Sequence, residues 1–470
     1  MPAPANKTKL ICTIGPASDA PQTLEGMLHA GMNVARLNFS HGDFDTHAEV
    51  IRRLREASEK TGRRLAIMAD LPGVKIRIGE LREEPIELST GQEVVLTTDD
   101  VVGDAQRFAV NFERLPHAVH PDDKLFLNDG LISLKVIAVD GNDVRCEVRA
   151  GGELSSRKGL DLPGIDLGIS AFTERDRDCL EFALEHGVDA VSQSFVSNAG
   201  DIAAVRSAAA NLGYKPFVIA KIERARAIDN LDEILDAADG LMVARGDLGV
   251  ELPIAEMAVV QKSLMRAANR AGKPVITATQ MLESMTEHRR PTRAESTDVA
   301  NAILDGTDAV MLSAESAMGR YPVEAVAMLA EIAAATEPHR PRAPIDARLP
   351  ERPSLAGLIA RSVHNAVQSL EPVAVIVPTR SGSMARNVTR FRLPTWITAF
   401  SREHATCQAL QFSYGVRAER VEEDKADWTP FVRDWMRRQG IREGVAVLTQ
   451  GPSEEYPCGN HRVEIVDLSL

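Results

Sequence analysis

Short apolar runs alternate with longer stretches of helical period at the start of the chain. Lys7 to Ile14 reads as a strand closed by the turn Gly15-Pro16, and Ala20 to Ala30 carries a helical pattern stopped by Gly31. Met32 to Phe39 is the next strand, a helix follows over roughly His47 to Thr61, and Leu65 to Ala69 is a third apolar strand ending at Asp70. This βαβαβ rhythm predicts a parallel sheet. From about Leu71 to Arg157 it breaks. Short alternating runs replace it (Ile86 to Leu88, Glu93 to Thr97, Lys124 to Leu127, Leu131 to Val139, Val144 to Val148), separated by turns such as Asn128-Asp129-Gly130. That pattern predicts an all-β module.

The βα rhythm then returns with five more strands: Ala190 to Val196, Phe217 to Lys221, Leu241 to Ala244, Pro274 to Thr279 and Ala309 to Leu312. Three strands before the interruption and five after it predict a (β/α)8 barrel with an all-β lid inserted after strand 3. A Pro- and Arg-rich stretch, PHRPRAPIDARLPERP, marks a boundary at about Pro338. Beyond it, helices Ser354 to Leu370 and Ser383 to Phe391, with strands Val373 to Val377, Thr395 to Ala399 and Val445 to Leu448, predict an open α/β domain. The expected division is a barrel (1–70 and 158–337), an inserted β-barrel lid (71–157) and a C-terminal α/β domain (338–470).

Composition narrows the picture. Aromatic residues are 4% of a chain that is 44% hydrophobic, so the core must be aliphatic and alanine-rich. A formal net charge of -13 argues against nucleic acid or an anionic membrane as a general partner, while leaving room for local basic pockets. The cysteines (Cys12, Cys146, Cys179, Cys407, Cys458) are scattered without a C-x-x-C, which suggests neither a zinc site nor a disulfide framework and fits a reducing, cytoplasmic setting. The opening MPAPANKTKL has no signal-peptide core, and no run approaches the ~18 apolar residues of a membrane span.

Candidate chemistry gathers at strand ends. Lys221-Ile222-Glu223 closes one apolar run and Arg245-Gly246-Asp247 follows another, which is the end of the strands where parallel barrels place their chemistry. Glu223 and Asp247 are hard oxygen donors suited to Mg²⁺ (or Mn²⁺), and the Lys221 ammonium beside them suits a migrating phosphoryl group. On charge alone, a strand-end salt bridge explains these residues equally well. Arg36, Asn38 and Ser40 alternate, so they share one face.

The stretches CTIGPAS, GMNVARLNFSHG, KIERARAIDN, MVARGDLGVELP, ATQMLESM, PTRAESTDVANAILDGTDAVMLSAESAMGRYP and PTRSGSMAR resemble the pyruvate kinase family over essentially the whole chain. The resemblance implies phosphoryl transfer from phosphoenolpyruvate to ADP, giving pyruvate and ATP. It implies Glu223 and Asp247 as divalent-metal ligands and Lys221, Arg36, Gly246, Asp247 and Thr279 as substrate contacts. Asn38, His41, Arg77 and Lys158 would serve the nucleotide, the last two from the hinges of the lid. A homotetramer is also implied. Proton delivery to the enolate stays open among Lys221, Thr279, Ser313 and a metal-bound water, with a water relay near Thr279 and Ser313 preferred.

Departures from the family pattern matter as much. Asn38, Ser40, Asp70 and the Leu71 carbonyl match ligands of a monovalent cation, yet Lys75 stands where K⁺-requiring members carry an acid. A tethered ammonium there would replace K⁺, so K⁺ is expected to be dispensable. Ser313-Ala314-Glu315-Ser316 replaces the usual Ser-Gly-Glu-Thr, and Thr46 replaces a tyrosine near the adenine. In the C-terminal domain, Thr379-Arg380-Ser381-Gly382-Ser383 joins a strand to a helix and resembles the loop where the family binds a phosphorylated activator; ordinary helix capping is the alternative. Its partner stretch Gly451 to Asn460 carries Glu454 and Glu455, which would repel a second phosphate. Competing readings are another phosphoenolpyruvate enzyme on a barrel or a non-catalytic effector-binding paralogue, which would be expected to have lost Lys221, Glu223, Asp247 or Thr279. A P-loop kinase is disfavoured because no G-x-x-x-x-G-K-[ST] occurs.

Overall fold

A computed structural model describes residues 4–340, 349, 352–452 and 460–470. Eight parallel strands close into a barrel. In chain order they are Lys9–Thr13, Val34–Asn38, Ala66–Leu71, Ala190–Gln193, Phe217–Ile222, Gly240–Ala244, Val275–Ala278 and Ala309–Leu312. The first and last strands close the ring, with Lys9 opposite Ala309. Every strand lies on a run read from the apolar pattern. The runs are nearly continuous because both faces are covered: Ile11, Met68, Ile219 and Met242 fill the interior, while Leu10, Ile67, Val218 and Leu241 meet the helices.

Local chemistry sets the helix ends. Asp43 accepts the Thr46 N–H and starts Phe44–Thr61 a few residues earlier than the periodicity suggests. Gly62 stops that helix in the left-handed region. Thr292 and Glu295 form a reciprocal capping box at Arg293–Asp305.

After the third barrel strand the chain builds a six-stranded sheet ordered Leu160–Asp161, Lys124–Leu127, Ile132–Asp140, Asp143–Ala150, Glu93–Thr97, Arg107–Ala109, with Ile86–Leu88 and Gly152–Leu154 paired alongside. The segment around Ile78 joins the two edges of that sheet. Arg77 bridges Gly159, and Ile78 bridges Val110, so the sheet curls onto itself. Leu160, Leu162 and Leu167 belong to this module's core. The packing of this module thus continues a few residues past 158, through the short strand Leu160–Asp161.

The C-terminal sheet has five strands ordered Val416–Arg420, Ile397–Ser401, Ala374–Pro378, Val445–Gln450, Arg462–Asp467, the last antiparallel to its neighbour. The two edge strands and the helix Trp428–Arg438 add to the elements read from sequence. Two contacts lock this domain to the barrel floor. Phe412 is fully buried and stacks on Phe217 with ring centroids 5.5 Å apart. Arg392 grips Asp308 at 2.6–2.7 Å with both side chains 1% exposed, and it also donates to the Gly306 carbonyl. Cys12, Cys146, Cys179 and Cys407 are buried free thiols. Among the described residues, no helix is long and apolar enough to cross a membrane.

Candidate active site

Barrel closure brings four charged side chains into one buried array at the C-terminal ends of the strands. Arg36, from the second strand, donates through Nε and Nη2 to Asp70 Oδ2 of the third strand at 2.8 and 2.5 Å. Its Nη1 donates to Thr13 Oγ1 on the first strand at 2.9 Å. Lys221 Nζ lies 2.9 Å from Glu223 Oε1 and 3.3 Å from Asp70 Oδ1, and donates to Ser194 Oγ at 2.7 Å. Ser192 donates to Asp70 Oδ1, and the Phe195 N–H donates to Glu223 Oε2, each at 2.7 Å. Arg36, Asp70, Lys221 and Glu223 are all buried. Buried charges persist only when paired and hydrogen-bonded, and each of these is.

The charges tune one another. Burial by itself would raise the Asp70 carboxyl, but Lys221 and Arg36 overcome it and hold the group below the usual range. Burial pulls Lys221 down, and Asp70 with Glu223 more than restores it, so its ammonium is held firmly charged. Glu223 goes the other way. Burial raises it, Lys221 opposes, and Asp247 adds to the rise.

The other wall is built from the ends of the sixth and seventh strands. Thr279 follows Val275–Ala278 with φ +68°, and Gln280 follows at +53°, the left-handed region that β-branched residues avoid. Arg245 holds this turn by donating to the Ala278 and Thr279 carbonyls at 3.1 and 2.6 Å, and it pairs with Asp298 at 2.6 Å. Thr279 Oγ1 accepts the Gly246 N–H at 2.8 Å. The nearest atoms a Cβ on Gly246 would meet are those of Thr279, at 3.6–3.7 Å, an ordinary contact, so packing does not demand glycine there. Ser313 is half-buried beyond the eighth strand, its N–H bound to Glu315 Oε2 at 2.7 Å.

The lid lays further charge against this wall. Lys75 Nζ is 3.6 Å from Asp247 Oδ1. Lys75, Asp161, Glu223, Arg224, Asp247 and Glu251 line one narrow crevice between lid and barrel. The Asp161 carboxyl is pushed up to about 6, chiefly by burial; Lys75 counters this, and Asp247, Asp129 and Glu251 add to it. Burial also raises Glu251. Burial is the main cause of all three rises, and Asp247 adds to those of Asp161 and Glu223, a local repulsion that a divalent cation would relieve. Among the described residues, no three His, Cys, Asp or Glu side chains converge on one point. Two carboxylates with room for substrate oxygens is what Mg²⁺ favours, so Glu223 and Asp247 fit such an ion.

Other sequence-derived candidates lie around this centre or away from it. Asn38 pairs in register with Asp70, and its Oδ1 accepts the Ser40 N–H at 3.2 Å. The Leu71 carbonyl is already taken by Ser194 Oγ at 2.7 Å, and Asp70 by Arg36, Lys221 and Ser192. The recorded carboxylate partner of Lys75 is Asp247 rather than Asp70. His41 is exposed, and its carbonyl accepts from His47 Nε2. Arg77 donates to the Arg157 carbonyl at 2.9 Å, and the Lys158 carbonyl accepts the Ile78 N–H, so both line the lid hinge. The Thr379–Ser383 loop lies in the C-terminal domain, where Thr379 Oγ1 accepts the Gly382 N–H at 3.0 Å and Arg386 braces the Ser381 carbonyl. Most of its suggested partner, Gly451 to Asn460, falls outside the described residues. Sequence reading missed Thr13, Ser192, Ser194 and Asp161. Ser192 and Ser194 had a signal: two hydroxyls two apart, flanking Gln193, in the otherwise apolar run Ala190 to Val196.

Comparison with known proteins gives this geometry its context. The family model "Pyruvate kinase, barrel domain" matches residues 5–326, and "Pyruvate kinase, alpha/beta domain" matches residues 358–455. A pyruvate kinase of Thermococcus litoralis is 50% identical over 423 residues, covering 88% of this chain and 89% of that one. A pyruvate kinase of Geobacillus stearothermophilus is 44% identical over 417 residues, covering 87% and 71%. The crystal structure of a pyruvate kinase from Cryptosporidium parvum superposes with a TM-score of 0.92 at 32% identity, covering 99% of this chain and 96% of that one. With both family models matched in order and half the residues shared with a relative along most of its length, this chain belongs to the pyruvate kinase family.

Proposed function

We propose that this enzyme transfers the phosphoryl group of phosphoenolpyruvate to ADP at the barrel mouth, using Lys221, Arg36 and a divalent cation held by Glu223 and Asp247. The observation that carries this assignment is the buried Arg36–Asp70–Lys221–Glu223 array beside Asp247. The Lys221 ammonium, kept charged by Asp70 and Glu223, offsets charge on the equatorial oxygens of the migrating group, and the Arg36 fork orients its phosphate. A bound Mg²⁺ supplies Lewis-acid stabilisation of substrate oxygens. Gly246 leaves room for substrate to approach the backbone beside Thr279. The Thr279 and Ser313 hydroxyls carry a water relay that delivers a proton to the enolate; Lys221 and a metal-bound water are the alternative donors.

ADP enters between lid and barrel, with Arg77 and Lys158 on the lid side and Asn38 and His41 on the barrel side. Lys75 carries a fixed positive charge into the same mouth, beside Asp247 rather than on Asn38, Ser40, Asp70 and Leu71, so it stands in for K⁺ by charge and not by position, and K⁺ is not required. A phosphorylated effector is held by Thr379, Arg380, Ser381, Gly382 and Ser383, and the enzyme works in the cytoplasm as a homotetramer.

The test is pyruvate formation from phosphoenolpyruvate and ADP with Mg²⁺, with and without KCl. Activity is expected in both buffers. Lys221→Met should lower kcat at least ~10²-fold, the scale of losing one well-aimed electrostatic group. Turnover in Lys221→Met within threefold of the parent would overturn its assignment. Unchanged effector titrations after Thr379→Ala with Ser383→Ala would remove the loop from the scheme.

A further inference from the structure

The turn after the seventh barrel strand is strained. Thr279 and Gln280 are both left-handed, at φ +68° and +53°, and two successive non-glycine residues in that region need something outside the turn to hold them. Arg245, the first residue of the helix Arg245–Glu251, supplies it. Its Nε donates to the Ala278 carbonyl at 3.1 Å and its Nη2 to the Thr279 carbonyl at 2.6 Å. Those carbonyls belong to the two peptide planes on either side of the Thr279 Cα, and two planes gripped by one rigid fork fix both φ and ψ of that residue. The fork is itself immobilised. Nη1 pairs with Asp298 at 2.6 Å, Nη2 lies 2.9 Å from Met281 Sδ, and the side chain is 15% exposed.

This grip fixes the direction of one proton. Thr279 Oγ1 lies 2.6 Å from the Ala278 carbonyl oxygen and 2.8 Å from the Gly246 nitrogen. A carbonyl cannot donate and an amide N–H cannot accept, so the hydroxyl gives its proton to Ala278 and accepts that of Gly246, with one lone pair left over. The buried Ala278 carbonyl thus has two donors, Thr279 and Arg245. When the hydroxyl turns its proton away, Arg245 keeps that carbonyl satisfied and no buried acceptor is stranded. We propose that Arg245 is a positioning residue for protonation of the enolate, a role that rests on the Thr279 relay proposed above. It aims the hydroxyl and frees its proton. A water donates to the open lone pair of Oγ1 while Oγ1 passes its own proton to C3 of the enolate. The C2–C3 π pair becomes the new C–H bond, the C2 oxygen becomes the ketone of pyruvate, and the hydroxide left behind is neutralised by solvent. Phosphoryl transfer precedes this step and does not run through Arg245, so the two can be measured apart.

The experiment follows exchange of the pyruvate methyl protons with D2O by NMR, using the full chain with Mg²⁺ and ATP, because exchange runs the proton step in both directions without net turnover. Arg245→Gln should slow exchange at least about tenfold, the low end of what a misaimed proton carrier costs, while KM for phosphoenolpyruvate in the forward reaction moves less than about threefold. In the Thr279→Ala background the same substitution should cost under about threefold, since two residues acting through one hydroxyl are not additive. Arg245→Lys keeps a cation for Asp298 but cannot span both carbonyls, so it should be as slow as Arg245→Gln, and it decides the matter if Arg245→Gln does not fold. Unchanged exchange in Thr279→Ala alone would remove the relay and the role of Arg245 with it. Normal exchange in Arg245→Gln beside a slowed Thr279→Ala, equal losses in both backgrounds, a rise in KM as large as the fall in exchange, or full recovery in Arg245→Lys would each leave the relay standing and overturn the role of Arg245.

Discussion

Asp161 offers a direct test of the electrostatics between lid and barrel. Its carboxyl is raised to about 6, some two units above the free value near 3.9. Between those two values the closed form holds more protons than the open form. Closure is therefore unpenalised below about pH 4, loses stability as pH rises through about 6, and bears the full cost above it. Two units at 1.36 kcal/mol each give about 3 kcal/mol; because Asp161 is only partly shielded from water, ~1–3 kcal/mol is the working range. Asp161→Asn removes the charge and nearly keeps the shape. At pH 8 without divalent ion it should slow lid opening by about 5- to 150-fold, and at pH 4.5, where only part of the cost has accrued, by no more than about 5-fold. Hydrogen–deuterium exchange reports this through the hinge bonds Ile78 N–H to Lys158 O and Leu160 N–H to Ile76 O, comparing variant and parent at one pH so that intrinsic rates cancel. Saturating Mg²⁺ should shrink the difference, since neutralising Asp247 removes part of the repulsion. A difference under twofold at pH 8, or the same difference at both pH values, would refute the reasoning.

Three further outcomes follow from the geometry. Gly246→Ala should leave the thermal midpoint unchanged or slightly higher, since the nearest atoms to its methyl are those of Thr279, at 3.6–3.7 Å, yet raise KM for phosphoenolpyruvate at least tenfold by filling substrate space; an unchanged KM would show that the backbone there is not approached. On the proposal that Lys75 stands in for K⁺, Lys75→Glu should create a K⁺ requirement, and full activity of that variant in K⁺-free buffer would defeat the idea. Arg392→Met leaves the buried Asp308 carboxylate with only the Val275 and Tyr414 N–H groups and should cost ~3–5 kcal/mol in urea unfolding, with Asp308→Asn added on top recovering part of it; a loss below about 1 kcal/mol would mean water reaches the pair.

The barrel was legible because strands buried on both faces leave unbroken apolar runs, as Ala66–Leu71 and Phe217–Ile222 do. Leu160–Asp161 and Arg107–Ala109 were not, being too short to display a period. Lys221, Glu223 and Asp247 announced themselves as charges ending apolar runs. Thr13 did not, because a hydroxyl in a strand looks ordinary until strand pairing sets it beside Arg36, and Ser194 showed only as a hydroxyl two residues from Ser192 until folding set it beside Lys221. Asp161 was hidden for a third reason: its importance arises only when the lid lies against Asp247 and Glu251, a contact between segments nearly ninety residues apart in sequence.

The Phe412 stack has a consequence for the order in which the protein is made. The last barrel strand ends at Leu312, yet the ring that stops the barrel's lower opening arrives about 100 residues later. A nascent chain that has released all eight strands from the ribosome still presents Phe217 to water and Asp308 without Arg392. The barrel floor is thus completed only by the C-terminal domain, and a chain stopped at residue 340 should bind a hydrophobic dye that the full-length enzyme excludes.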